Sequence, residues 1–319
     1  MLLSNAQDVT ADYFAERLRE AGRVFVRVDT ERLGSAGMTF TVGGGHEAVG
    51  CASFDEVSID TSQVHAIYYR RPRPPTVNDD AITVGEREWI GSELRRAWGG
   101  WLATTRARWV NHPLAISSAS YKPEQLARAE RMGLRVPETL ITTRPNEARA
   151  FARAHNMMLV AKPISHGEIR DTAGQQERLI YTTALGDGDE AILDRVAMCP
   201  TLLQRRVQKS VDLRVTVVGD SVLTVALHSQ DHPVSAVDCR RDNMRQMRYS
   251  IAALPHELEQ RLVAYVRSYD LVFGAVDLVR DVDGAHWFLE INPAGQWAWL
   301  EQKTAVPISE AIIRALDAA

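Results

Sequence analysis

The sequence predicts an α/β protein of three lobes. These are an N-terminal α/β domain over 1–112, a small central α+β lobe over 113–198, and a C-terminal lobe of antiparallel sheet over 199–319. Three observations predict it. Short β-branched runs alternate with helical periodicity through the first third. The pattern shortens after His112-Pro113, where a helix with an early proline opens a new unit. The last third carries strands joined by tight turns, among them Asp283-Gly284. At 319 residues the chain is long for one core, and roughly 150 residues per domain gives two or three.

The elements follow in order. Leu2-Leu3 begins a short buried strand. Asp8 and Thr10 cap a helix over Val9 to Ala21, with Val9, Tyr13, Phe14, Leu18 and Ala21 at helical spacing and Gly22 as its stop. Val24 to Val28 is a β-branched strand. Met38 to Val42 and Ala48 to Ala52 are strands around Gly43-Gly44-Gly45. That run lacks a following Lys-Ser/Thr and a helix, so it predicts a hairpin turn and not a phosphate loop. His65 to Tyr69 is a strand ending in Arg70-Arg71-Pro72, a helix runs from Glu86 to Thr104, and Trp109 to Pro113 closes the domain.

In the central lobe Lys122-Pro123 opens a helix that Gly133 stops. A strand (Glu138 to Thr142), a helix (Pro145 to His155) and a strand (Met158 to Ile164) follow. Ser165-His166-Gly167 starts a polar loop to Glu177, then come a strand to Ala184 and a helix over Asp189 to Ala197. The C-terminal lobe has strands Thr201 to Gln204, Leu213 to Val218 and Ser221 to Leu227. Helix Pro255 to Tyr269, hairpin Gly274 to Ile291 and a helix from Pro307 complete it.

Composition narrows the function classes. Lys plus Arg is 37 against 41 Asp plus Glu, a net charge of −4, which argues against a nucleic-acid coat. No apolar run approaches the roughly 20 residues of a membrane helix. The opening octet has no basic stretch before an apolar one, so no signal peptide is expected and the compartment reads as cytoplasm. Cys51, Cys199 and Cys239 are scattered, with no metal spacing or disulfide framework. Only four lysines occur, Lys122, Lys162, Lys209 and Lys303, leaving 33 arginines. In so Arg-biased a chain each lysine is more informative, the bland reading being that codon bias leaves some by chance.

The strongest chemical signal is the last hairpin. Counting outward from a two-residue Asp283-Gly284 turn, 282 opposes 285, 281 opposes 286 and Asp277 opposes Glu290. Asn292 shares their face, with Phe288, while Val276, Leu278, Leu289 and Ile291 take the other. Two facing carboxylates repel unless a cation lies between them. Two carboxylates and an amide oxygen suit Mg²⁺ or Mn²⁺; a solvated acidic face is the alternative.

Lys162 sits inside an apolar run from Met157 to Ile164, and Pro163 blocks the normal ladder. A buried ammonium calls for an anion, unless it reaches out from a strand end. Asp212 and Arg214 alternate onto one face. An acid can accept ribose hydroxyls and the Arg fork suits phosphate; a surface ion pair between them is the other reading. Arg70 and Arg71 follow an apolar strand, where ligand contacts occur in open α/β sheets, or they form a solvated rim. His166, His228 and His286 lack nucleophile partner spacing and are read as loop or strand-edge residues.

Taken in order, Lys122, Lys162 in Ala-Lys-Pro, Gln204 to Val207, Asp212-Leu-Arg214, Asp277 and Glu290-Ile-Asn292 resemble the ATP-grasp superfamily over about 117–319, the first lobe resembling the preceding α/β domain. Tyr68-Tyr69-Arg70-Arg71-Pro72, Pro137 to Thr142, Leu203-Gln204 with Asp212 to Gly219, and Glu290 to Trp297 are similar to the ligases that macrocyclise graspetides, the microviridin-type ribosomal peptides. Tyr121 departs from the Asn or Asp that often precedes the helix lysine.

The resemblance implies ATP and Mg²⁺ (or Mn²⁺) as cofactors. Lys122 and Lys162 would hold α- and β-phosphates, and Gln204, Arg205 and Val207 would line the adenine hinge, some through backbone atoms. Asp212 would contact ribose, and Arg214 would steady the transferring phosphate, with Lys162 as its catalytic companion. Asp277, Glu290 and Asn292 would hold the metal. Arg70 and Arg71 would meet the acidic core peptide or the phosphates.

The implied reaction activates an Asp or Glu carboxylate of a ribosomal precursor peptide as an acyl phosphate. A Thr or Ser hydroxyl or a Lys amine then displaces phosphate. Residues Glu177 to Val196 would bind the leader, or serve packing alone. The expected partner is the precursor, leader plus acidic, Thr-rich core, without nucleic acid or membrane; the resemblance allows a homodimer. Another ATP-grasp ligase, acting on amino acids or peptide termini, is the second reading. A nucleotide-binding regulator without chemistry is the third.

Overall fold

A computed structural model describes residues 1–43, 46–54, 57–165, 167–170, 177–186, 188–241 and 247–318. Gly44, Gly45, His166 and the middle of the polar loop therefore lie outside the described residues. Among the described residues no helix is long and apolar enough to cross a membrane.

The N-terminal elements are β1 (Leu2–Ser4), α1 (Val9–Glu20), β2 (Arg27–Asp29), β3 (Gly37–Gly43), β4 (His46–Phe54), β5 (Val57–Asp60), β6 (Ala66–Tyr69), α2 (Val84–Ala103) and β7 (Arg108–Val110). The sheet β2-β1-β6-β7 is parallel throughout. Its helices start where the side chains cap them. Asp8 accepts the N–H groups of Thr10 at 3.0 Å and Ala11 at 3.4 Å, and Thr83 and Glu86 form a capping box at α2. The antiparallel β3-β4-β5 packs on α2. Gly50 is required there, because a Cβ would strike the Trp101 ring at 1.4 Å.

Next come α3 (Pro113–Ser118), α4 (Lys122–Arg131), β8 (Thr139–Thr142), α5 (Pro145–Ala154), β9 (Leu159–Lys162), β10 (Glu168–Arg170), β11 (Glu177–Leu179), β12 (Thr183–Leu185) and β13 (Thr201–Arg205). β9, β12, β13 and β8 form one sheet in the order β12-β9-β13-β8. The strand expected up to Ala184 is two strands: β11 pairs with β10, and β12 pairs with β9. The helix expected over Asp189 to Ala197 is a 3-10 helix, Glu190–Met198.

The chain ends with β14 (Lys209–Val218), β15 (Ser221–Leu227), β16 (Tyr249–Ala252), α6 (His256–Arg267), β17 (Phe273–Asp281), β18 (His286–Asn292), α7 (Ala298–Thr304) and α8 (Ile308–Asp317). The sheet order is β16-β15-β14-β17-β18, antiparallel throughout. One face packs on α6 through Leu213, Val215, Val217, Val276, Leu278 and Ile291. The other face is divided. Ala275, Phe273 and Val218 join the apolar cluster of α1, α7 and α8, while Asp212, Arg214 and Asp277 occupy the rest.

Buried Asn111 fastens the first sheet to the last. It donates to the carbonyls of Phe273 at 2.7 Å and Pro293 at 2.8 Å, and accepts the N–H groups of Val272 and Phe273 at 2.8 and 2.9 Å. Fully buried Trp297 donates to Tyr68 Oη at 2.8 Å.

Candidate functional site

The site is a row of charges across three strands. Arg214 on β14 lies opposite Asp277 on β17, which lies opposite Glu290 on β18. Asp277 opposes Glu290 as the sequence predicts, by a different route. Asp281 Oδ1 captures the N–H groups of Asp283 at 3.0 Å and Ala285 at 2.7 Å, and Gly284 takes φ 86°. The turn thus spans three residues, and Arg280 opposes His286. A bulge beyond Asp277 then leaves Leu289 unpaired and restores the register. Phe288 accordingly turns into the core, 1% exposed, against Tyr265, where the sequence placed it beside Glu290.

β18 is an edge strand, yet its outward groups at Ile291 and Phe288 are taken. Gln125 Nε2 donates to Ile291 O at 3.0 Å and Gln125 Oε1 accepts Ile291 N–H at 3.1 Å. Phe288 N–H donates to Arg135 O at 2.7 Å. Helix α4 therefore splints the backbone between Glu290 and Asn292.

Each acid carries a cation. Arg214 Nη1 lies 2.8 Å from Asp277 Oδ1. Lys122 Nζ lies 3.0 Å from Glu290 Oε2 and donates to Pro163 O at 2.9 Å, so it bridges the end of β9 to β18. Lys162 donates to Gln204 Oε1 at 2.7 Å. Burial pushes the Asp277 carboxyl up to about 6; Arg214 opposes the shift, and Glu290 and Asp212 add to it. Burial acts in the same sense on Glu290, but Lys122, then Lys162 and Arg214, outweigh it and hold that carboxyl below its usual value. Burial lowers the Lys162 ammonium to about 8 against the pull of Glu290.

The predicted metal donors lie on two paired strands, Asp277 on β17 opposite Glu290 on β18. Asn292 lies two residues past Glu290, and its Oδ1 accepts Ala294 N–H at 3.0 Å. Among the described residues no group of three His, Cys, Asp or Glu gathers for a metal. Two carboxylates and an amide oxygen are still hard donors, and burial disfavours the charge of Asp277. That set fits Mg²⁺, which takes one or two carboxylates and completes its shell with water and phosphate.

Several expectations change. The Gln204 side chain is 2% exposed and central in its sheet, where it accepts from Lys162 and donates to Thr139 Oγ1 at 2.9 Å, which leaves only its backbone for the hinge. It seats the lysine. Arg205 stands over the Trp287 ring at 4.9 Å, and Val207 lies in the connection 206–208 between the last two sheets. Asp212 and Arg214 do not pair with each other. Asp212 accepts from Lys209 Nζ at 2.9 and 2.8 Å and from Ser229 Oγ.

Arg70 is not a rim residue. It is 1% exposed, its Nε 3.0 Å from Asp8, and it donates to Gly295 O at 2.9 Å and Gln296 Oε1 at 2.8 Å. Exposed Arg71 donates to Ala294 O at 2.9 Å. The pair braces the turn after Asn292-Pro293. Replacing Arg70 with Ala strands Asp8 in the interior, and stability is expected to fall by about 3–5 kcal/mol in urea unfolding. A loss of activity at unchanged stability would contradict the bracing role.

Of the residues not singled out, Lys209 was foreshadowed by the scarcity of lysine. Gln125, Asn111 and Asp238 act through backbone groups of distant segments, which no local pattern reveals. His228 Nε2 lies 2.9 Å from Ser250 Oγ at the strand edge.

No family model matches the chain, and no curated protein matches it. Solved structures do. The macrocyclase MdnC of Microcystis aeruginosa, bound to its precursor peptide MdnA, is 25% identical, covering 99% of this chain and 98% of that one at TM-score 0.84. MdnB, a macrocyclase of the same organism, is 29% identical, with 100% and 98% covered, at TM-score 0.79. A RiPP-associated ATP-grasp ligase of Chryseobacterium gregarium, with ADP and leader and core peptides, shares the fold at 23% identity, 99% and 95% coverage and TM-score 0.89. The fold is that of the ATP-grasp ligases. These likenesses over the full length bear out the resemblance read from the motifs.

Proposed function

We propose that this ATP-grasp chain is an ATP-dependent macrocyclase that joins Asp or Glu side chains of a precursor peptide to Thr or Ser hydroxyls, or to Lys amines. The observation that carries the reading is the row Arg214, Asp277, Glu290 with Lys122 and Lys162 beside it. It gathers cations and hard oxygen donors where a triphosphate and a carboxylate must meet. Similarity to two macrocyclases, one bound to its precursor, supports the peptide substrate.

Two anions approach in the first step, so the surrounding cations carry the catalysis. Lys122 and Lys162 would hold the α- and β-phosphates. Arg205 and Val207 would wall the adenine, and Asp212, held by Lys209, would take the ribose. Asp277, Glu290 and Asn292 would hold Mg²⁺ or Mn²⁺, which supplies charge neutralisation at the phosphates. The peptide carboxylate takes the γ-phosphoryl group to give an acyl phosphate and ADP, with Arg214 steadying the phosphoryl oxygens. The hydroxyl or amine then attacks the acyl carbon, loses its proton, and phosphate departs.

The test is intact-mass spectrometry of a short precursor peptide with an acidic, Thr-rich core, sought among the genes flanking the one for this chain, after incubation with the protein, ATP and Mg²⁺. The expected result is loss of one water per ring with one ADP formed for each. ADP release that needs a free amino acid, with the peptide mass unchanged, would point to the second kind of ligase. Nucleotide bound without any turnover would point to a regulator.

A further inference from the structure

The segment 228–241 crosses from the C-terminal sheet toward the central lobe, and it is pinned on both sides. On the C-terminal side, Lys209 Nζ donates to Val237 O at 3.3 Å as well as to Asp212. On the central side, Asp238 Oδ2 accepts the Thr182 N–H at 2.8 Å. Thr182 immediately precedes β12, the strand beside β9 and its terminal Lys162. Arg241 Nη2 donates to Thr183 Oγ1 at 3.1 Å, and Arg240 and Arg241 stand 5.9 and 5.5 Å from the Tyr181 ring centroid.

The same carboxylate holds Arg240. Asp238 Oδ1 accepts Arg240 N–H at 3.0 Å and Nε–H at 2.9 Å, and Oδ2 accepts Nη2–H at 2.7 Å. The Asp238 side chain is 4% exposed and that of Arg240 51%. A buried carboxylate with this many donors is a rigid, charge-assisted joint. Burial alone would raise the carboxyl, but Arg240 outweighs it and holds Asp238 down to about 2, so the joint is charged at every working pH.

We propose that Asp238 is a positioning residue that joins docking of the central lobe, through the Thr182 amide, to placement of Arg240 beside the Tyr181 ring. An isolated acceptor for Thr182 would not need a bidentate arginine, and a holder for Arg240 would not need to cross to the other lobe. The inference rests on nucleotide binding by the ATP-grasp fold and not on the identity of the peptide.

The test is hydrogen exchange of the full-length protein at single-residue resolution, with and without MgADP, beside steady-state kinetics. In the parent protein the Thr182 amide exchanges slowly, and more slowly with MgADP. In Asp238→Asn it exchanges at least about tenfold faster, with Leu203 unchanged. In Arg240→Gln it stays protected. Each single variant lowers kcat about tenfold at a MgADP affinity within about threefold, and the double variant is no slower than either, because the two act as one unit.

Unchanged Thr182 exchange in Asp238→Asn, or kcat losses that multiply in the double variant, overturns the proposal. Should Asp238→Asn not fold, Thr182→Pro removes the donor alone; full turnover there overturns it equally. A chain whose Thr182 responds as described, but which modifies no peptide, overturns the macrocyclase reading and leaves the joint standing.

Discussion

Asp277→Asn is expected to lower peptide-dependent ADP formation by roughly 10²–10³-fold without unfolding the protein. Asn fills the same space and keeps one oxygen for Arg214, so the ladder of β14, β17 and β18 remains. The second anionic oxygen is lost, and with it half of the carboxylate charge that would hold a divalent ion. The apparent Mg²⁺ requirement should therefore rise along with the fall in kcat, read from ADP release at increasing Mg²⁺.

Stability should move the other way. The native carboxyl titrates near 6 against an ordinary 3.8, so between those values the native state binds the proton that the unfolded chain has released, and stability falls as pH rises. The variant lacks that penalty. Its metal-free thermal midpoint at pH 8 should exceed the parent's by on the order of 2 °C, and the difference should shrink below pH 6. Normal turnover in Asp277→Asn would remove the residue from the metal site.

Lys162→Met is expected to weaken MgADP binding about 10- to 100-fold, the range for a hydrogen bond to a charged group. Methionine matches the length and apolar stem of lysine, and Gln204 keeps its bond to Thr139. The parent should also show a pH dependence. The unliganded ammonium titrates near 8, and a polyphosphate favours its charged form. Binding therefore takes up a proton, and affinity falls as pH rises through 8. Free-chain stability has the opposite slope, rising between 8 and 10.5, where the unfolded chain binds the extra proton. Calorimetry of MgADP binding from pH 7 to 9.5 checks both variant and slope. A flat profile in the parent, or a Met variant that binds normally, would move the phosphate contact to Lys122 alone.

What the sequence made legible is what short-range rules govern. α1 begins at Val9 because Asp8 accepts its first amides, and β14 and β15 turn at Gly219. The facing of Asp277 and Glu290 was legible only because two departures cancel. The Asp283-Gly284 pair suggested a two-residue turn, but the Asp281 side chain outcompetes it for the turn amides and adds a residue. The bulge at Leu289 compensates, and Phe288 shows the difference. The facing acids were readable from strand alternation, whereas Arg214 and Lys122, which pair with them, come from other elements. From the sequence Arg70 reads as a ligand contact because it follows an apolar strand, with a solvated rim as the alternative. Its burial depends on Asp8 and on residues 294–296, which only the assembled lobes bring to it. Helix α7 was missed because its seven residues show too little periodicity.

The splint that α4 places along β18 bears on self-inhibition. A bare strand edge is an open template for any extended chain that reaches it, and the proposed substrate is such a chain, present at the same site by necessity. Gln125 and the Arg135 carbonyl occupy the outward groups at Ile291 and Phe288, so a core peptide finds no β-ladder to extend next to Glu290 and Asn292. Under the proposed function, the backbone of the peptide would stay unzipped there, leaving its side chains free to reach the phosphate.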